Sequence, residues 1–116
     1  MALLNKNQIL DAQDLEHIDI EVPEWGGTVR VSTISGKARD RFETSLLNSK
    51  NKVTTENIRA KLVASCLVDQ DGKLLFSESD IEKLGNKNAK ILDRIFAVAQ
   101  TLNGIGNQEV EELSKN

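Results

Sequence analysis

Lys90-Ile91-Leu92-Asp93-Arg94-Ile95-Phe96-Ala97-Val98-Ala99-Gln100-Thr101-Leu102-Asn103-Gly104 is the stretch that decides the fold. Leu92, Ile95, Phe96, Ala99 and Leu102 recur at helical spacing, with Ile91 and Val98 beside them, so the apolar stripe covers a broad arc of a helix. A helix this apolar does not stand alone in water. Either the rest of the chain wraps it, or part of its face is left for another subunit or partner. Asn86 or Asn88 supplies its amino-terminal cap, and Gly104 closes it.

Working outward, Phe42, Leu46, Ile58, Leu62, Val63, Cys66, Leu67 and Phe76 are partners enough to cover Leu92, Ile95, Phe96 and Ala99, which makes that stripe core. The edge formed by Ile91, Val98 and Leu102 is then the better candidate for contact with a partner or subunit, with Val110 and Leu113 near it in the chain. Trp25 has two interpretations. Beside a glycine turn it can plug the end of a core, or it can anchor a partner, because it joins a large apolar area to a donor that tolerates a wet rim.

The first half carries strand signals. Ile18, Ile20 and Val22 alternate with Asp19 and Glu21, and Val29 and Val31 alternate with Arg30 and Ser32, which is the period of half-buried strands. Pro23-Glu24-Trp25-Gly26-Gly27 between them predicts a hairpin turn, with two glycines able to take positive φ. Ahead of it, Asn5 or Asn7 caps a short, weakly held helix through Gln8, Ile9 and Leu10.

After the hairpin, Ser35 caps a helix with Ala38, Phe42 and Leu46 on one side. The polar run 48–55 predicts a mobile loop, and Thr54 or Thr55 opens a third helix. Asp69-Gln70-Asp71-Gly72 marks a tight reversal between two short extended pieces. Ser77 with Asp80 caps a short helix through Ile81 and Leu84, with Gly85 as a left-handed cap. The fold class expected is α+β, an amino-terminal β-hairpin packed on a small bundle of four to five helices. Residues 1–106 form one globular domain and 107–116 a marginal helix or tail, since Val110 and Leu113 alone offer little to bury.

Composition narrows the function. With 15 basic and 18 acidic residues in 116, a net charge of −3 and four aromatic rings in all, the chain lacks the basic, ring-bearing face of a nucleic-acid binder. The charge is uneven: 1–28 hold Asp11, Asp14, Glu16, Asp19, Glu21 and Glu24 against Lys6, whereas 30–61 are mainly basic. Opposed solvated faces account for this, and a weak head-to-tail homo-oligomer is the sharper alternative. One cysteine permits no internal disulfide and fits a reducing compartment. The start has no basic n-region followed by an apolar stretch, and no run is long enough to cross a bilayer, so a soluble cytoplasmic protein without membrane contact is expected.

No constellation for catalysis stands out. His17 lies between acids in an alternating strand and Cys66 on an apolar helical face, so they read as surface histidine and buried cysteine, and one of each cannot build a metal site. Asp69-Gln70-Asp71-Gly72 departs from a calcium loop, because its glycine comes too early and Lys73 stands where an oxygen ligand belongs. Gly26-Gly27 lacks the glycine spacing and lysine of a phosphate loop. No catalytic residue, cofactor or metal is assigned.

Glu21-Val22-Pro23-Glu24-Trp25-Gly26-Gly27-Thr28-Val29-Arg30-Val31 resembles the small tail assembly chaperones of long-tailed phages and prophages. The likeness extends through Ser35-Gly36, Arg39-Asp40-Arg41-Phe42-Glu43, Leu62-Val63, the stretch from Val68 to Ser77, and Leu84-Gly85-Asn86-Lys87-Asn88-Ala89 to Lys115-Asn116. The resemblance implies a non-enzymatic protein of the host cytoplasm, absent from the mature virion. It also implies that the chain binds the tape measure protein and helps recruit the tail tube protein. A structural tail or neck protein kept in the particle and a small regulatory adaptor are the alternatives.

Overall fold

The alternating segments around Pro23 fold as an antiparallel hairpin in the structure, a computed structural model that describes residues 1–105. Strands β1 (His17–Val22) and β2 (Gly27–Ser32) pair without a break from His17↔Ser32 to Val22↔Gly27. A 3-10 turn over Pro23–Trp25 joins them and ends at Gly26, at φ 78°; Gly27 already belongs to β2. Val22 and Val31 are fully buried and Ile20 and Val29 pack behind them, so one face of the hairpin is core. On the other face Asp19 and Arg30 pair at 2.8 Å, cross-strand neighbours in the register. Expectations for 107–116, including Val110 and Leu113, lie outside the described residues.

Ahead of the hairpin, helix α1 (Lys6–Asp11) is capped by Asn5 and buries none of its residues. After it, α2 (Gly36–Ser45) begins where Ser35 Oγ accepts from the Ala38 amide at 3.1 Å, and it turns Phe42 inward. The polar run that follows is a bonded turn. Leu47 bridges Val53, and Asn48 Oδ1 accepts from the Lys50 and Lys52 amides at 2.9 and 3.1 Å. Backbone and amide bonds order this segment where burial does not.

Helix α3 (Ile58–Cys66) starts later than Thr54 or Thr55, behind Asn57 in the left-handed conformation at φ 55°. It buries Ile58, Ala60, Leu62, Val63, Ala64 and Cys66, nearly its whole circumference, and packs against helices on several sides. The centre of the core is therefore α3, with the helix at 89–102 as its largest neighbour. The chain leaves α3 directly into β3 (Leu67–Val68), antiparallel to β2, giving the sheet order β1-β2-β3. The turn at Asp69 is as expected, with Gly72 N–H donating to Asp69 O at 3.0 Å and a bridge from Val68 to Leu74.

Ser77 N–H and Oγ–H both donate to Asp80 Oδ2, at 2.9 and 3.0 Å, and a 3-10 turn leads into α4 (Ile81–Leu84). Gly85 corrects its expected role: its φ is −62°, in the right-handed region. A Cβ there would lie 2.3 Å from Asn57 Oδ1, so a larger residue would make the end of the Asn57 side chain shift. Helix α5 (Ala89–Leu102) is capped by Asn88. Its end is closed by Ile105 N–H donating to Gln100 O at 2.8 Å and Gly104 N–H donating to Thr101 O at 3.3 Å, with Gly104 at φ 66° and Ile105 buried. The α+β class expected from the pattern is the one observed, with β3 added to the hairpin.

Candidate protein-interaction surface

On α5, Ile91, Ile95 and Ala99 stand on one ridge at four-residue spacing, and all three are buried with Leu92 beside them. Phe96, Val98 and Leu102 are half-buried along the margins. Ile91 is therefore corrected as an outer edge. At 7% exposure it lies inside the core, because its ridge faces the packed side of α5. Phe96 moves the other way, from core stripe to margin.

The turn that carries Trp25 is tied to α5 by charge. Glu24 and Arg94 form a two-pronged ion pair, with Arg94 Nη1–H donating to Glu24 Oε1 at 3.0 Å and Nη2–H donating to Oε2. The Arg94 guanidinium, helped by a backbone bond at Glu24, holds that carboxyl down at about 2 against its usual 4.5. Arg94, Val98 and Leu102 follow one another at four-residue spacing on α5. The pair thus ties the turn carrying Trp25, itself 37% exposed, to the helix face carrying Val98 and Leu102. Further round, Asp93 pairs with Arg59 of α3. Two of the amino-terminal acids, Asp19 and Glu24, are consequently matched within the chain.

A second surface escaped the sequence. Between α2, α3 and the 74–82 segment lies a groove of about 490 Å³, floored by Phe42 and Ala64 and walled by Leu74, Phe76 and Ile81. Its rim carries Arg41 from α2, Lys61 from α3, and Glu78 and Glu82 from the facing wall. The available signal was Leu74-Leu75-Phe76, since three successive apolar side chains cannot all point inward from an extended segment. Leu74 and Leu75 are each 50% exposed.

Residues 1–16 add a third apolar surface. Every one of them is exposed, Leu3, Leu4, Ile9 and Leu10 among them. The arm joins the body at Glu16, whose N–H donates to Thr33 Oγ1 and whose carbonyl accepts from the Thr33 N–H, both at 2.8 Å.

The structure keeps His17 and Cys66 apart in kind. His17 is exposed on β1, whereas Cys66 is fully buried, with Asn103 Nδ2–H donating to Sγ at 3.6 Å. Burial pushes the Cys66 thiol up to about 12, which leaves it protonated and unreactive. Among the described residues no cluster of three or more His, Cys, Asp or Glu side chains is placed to hold a metal ion. No described helix is long and apolar enough to cross a membrane.

Comparison with known proteins gives the family. The solved structure of the bacteriophage HK97 tail assembly chaperone superposes with a TM-score of 0.58 at 23% identity, covering 83% of this chain and 94% of that one. At that identity the likeness bears on the fold. No curated protein matches the sequence. Residues 5–116, nearly the whole chain, match the family described as phage tail assembly chaperone, and the chain belongs to that family.

Proposed function

We propose that this protein binds the tape measure protein during tail assembly, keeps that client soluble and helps recruit tail tube subunits, without catalysing a reaction. Membership of the chaperone family supports the role. The observation that carries the contact surface is the Glu24–Arg94 ion pair, which ties the turn bearing the partly exposed Trp25 to the α5 face on which Val98 and Leu102 lie half-buried. Such a patch takes the apolar face of an amphipathic helix, while its charged rim keeps the free protein from aggregating. Low affinity at each contact is offset when many copies line one extended client. The protein works in the host cytoplasm and leaves before the particle is complete.

Trp25 is the only tryptophan, so its fluorescence reports this surface directly. Adding helical segments of the tape measure protein from the same element should shift its emission to shorter wavelength and shield it from quencher. Unchanged emission at saturating client would remove this surface from the proposal. A structural tail or neck protein would persist in purified particles, where mass spectrometry should find the chaperone missing.

A further inference from the structure

Elsewhere on this protein opposite charges meet: Asp19 pairs with Arg30, Glu24 with Arg94, Arg59 with Asp93 and Arg39 with Glu43. The rim of the groove between α2, α3 and the 74–82 segment differs. Among the described residues Arg41, Glu78 and Glu82 enter no ion pair, and all three are exposed. They stand on opposed walls, Arg41 on α2 and the two glutamates across from it. Lys61, on the Arg41 side, is already engaged, its Nζ donating to Ser45 O at 2.8 Å. Glu78 and Glu82 are four residues apart in a continuous run of 3-10 and α-helix, which puts them one turn apart on one face.

Between these walls the small side chains Ala38, Ser45, Ala64 and Ser65 of α2 and α3 keep the groove open, and Leu74, Phe76 and Ile81 give it an apolar side. Its 490 Å³ is room for several apolar side chains. Helices α2 and α3 present side chains and no strand edge, so the shape that fits is an amphipathic helix held by side chains at i, i+3, i+4 and i+7. Charge specifies the flanks of that helix: bases one turn apart against Glu78 and Glu82, and an acid against Arg41. Because the two walls differ in sign, turning the helix end for end would set like charges face to face, so one direction is favoured. We infer that this groove is a second client site, and that it takes a client helix with paired bases on one flank and an acid on the other. The inference rests on the client-binding reading, uses a surface separate from the Trp25 turn, and adds which segments of a client are held and in which direction.

Two synthetic helices about 18 residues long, alike in their leucine stripe, test this by fluorescence anisotropy. One carries lysines on one flank and glutamates on the other; the second carries glutamates on both. The wild-type chain should bind the mixed peptide about tenfold or more tighter than the acidic one, and Glu78→Lys combined with Glu82→Lys should reverse that order. Leu74→Asp should abolish binding of both. All three positions are exposed, so the fold should survive, as circular dichroism can verify. If Leu74→Asp disturbs folding, the reversal at 78 and 82 decides alone. Equal affinity of the wild type for the two peptides overturns the inference, as does a folded Leu74→Asp variant that binds like wild type. Binding of neither peptide overturns it too, and so does binding that weakens as the protein is concentrated because a second copy takes the groove. A tape measure protein of the same element with no helical segment of this charge pattern would also overturn it. Trp25 emission and client solubility, read on the wild-type chain, test client binding itself, so failure at the groove leaves that reading standing.

Discussion

Asn103, the residue that ends α5, should be among the most costly polar side chains to remove. Its Oδ1 accepts from the Ile34 amide at 2.8 Å, and its Nδ2 donates to Ala99 O at 3.0 Å, Ser32 O at 3.4 Å and Cys66 Sγ at 3.6 Å. The side chain thus clasps the end of α5 to the connection between β2 and α2. Asn103→Ala leaves Ala99 O with the Asn103 backbone N–H at 3.1 Å, so that acceptor keeps a partner. The loss concentrates on the half-buried Ile34 amide, which has lost its acceptor, with the long Ser32 and Cys66 contacts adding less. An orphaned donor of this kind costs about 1.5–2.5 kcal/mol. For a domain of this size that lowers Tm by roughly 6–15 °C. Urea unfolding should show the midpoint falling with m unchanged, and the Ile34 amide should exchange faster than its neighbours in β2. A variant within about 0.5 kcal/mol of wild type, with Ile34 exchange unaltered, would refute the clasp.

Three further predictions follow from burial and charge. Ile91→Asp puts a carboxylate into the core and should cost about 4 kcal/mol or more, enough to unfold much of the population, whereas Val98→Asp at the half-buried margin should cost about 1–2 kcal/mol and leave circular dichroism native. Glu24 titrates lower folded, at about 2, than at its usual 4.5, so its contribution is fully present above about 4.5 and is lost as pH falls toward 2. Glu24→Gln should lower Tm at neutral pH and flatten the acid limb of the Tm profile; an unchanged limb would count against the Glu24–Arg94 pair. Cys66 titrates higher folded, at about 12, than its usual 9.0, so its contribution is present below about 9 and is lost as pH rises toward 12. Labelling of its thiol at neutral pH should therefore track global unfolding in urea, and rapid labelling of the native protein would contradict its burial.

Much of this fold is legible in the sequence, because its two longest signals are periodic. The alternation of Ile18, Ile20 and Val22 against Val29 and Val31 gives the hairpin, and the stripe on α5 gives the longest helix. The rest depends on contacts that no local pattern records. Strand β3 is two residues long and exists through pairing with Val31 and Arg30 far away in the chain. Helix α3 is buried nearly all round, but Arg59, Lys61 and Ser65 give it a mixed composition; Lys61 reaches out to Ser45 O at 2.8 Å and Arg59 to Asp93. Gly85 looked like a left-handed helix cap, yet its φ is −62° and it lies against a side chain from another part of the chain, Asn57.

On α5, periodicity found the helix and its core stripe and misplaced one of its edges. Ile91 and Val98 both flank the stripe in sequence, and only packing against the rest of the chain decides that Ile91 goes in while Val98 remains half out. Trp25 stands out by composition, yet the tie between its turn and α5 follows from the pairing of Glu24 with Arg94, seventy residues apart. The groove escaped because Phe42 and Phe76 read as core from their type alone, while in the structure both also line a concavity open to solvent.

The central claim is that this protein keeps an apolar, helix-rich client soluble, and co-expression with the tape measure protein of the same element tests it most directly. The soluble fraction of the client should rise several-fold with the wild-type chain and fall back when Trp25→Ala and Val98→Asp are combined in a folded variant. A client that stays equally insoluble with and without the wild-type chain, and does not co-purify with it, would contradict the account.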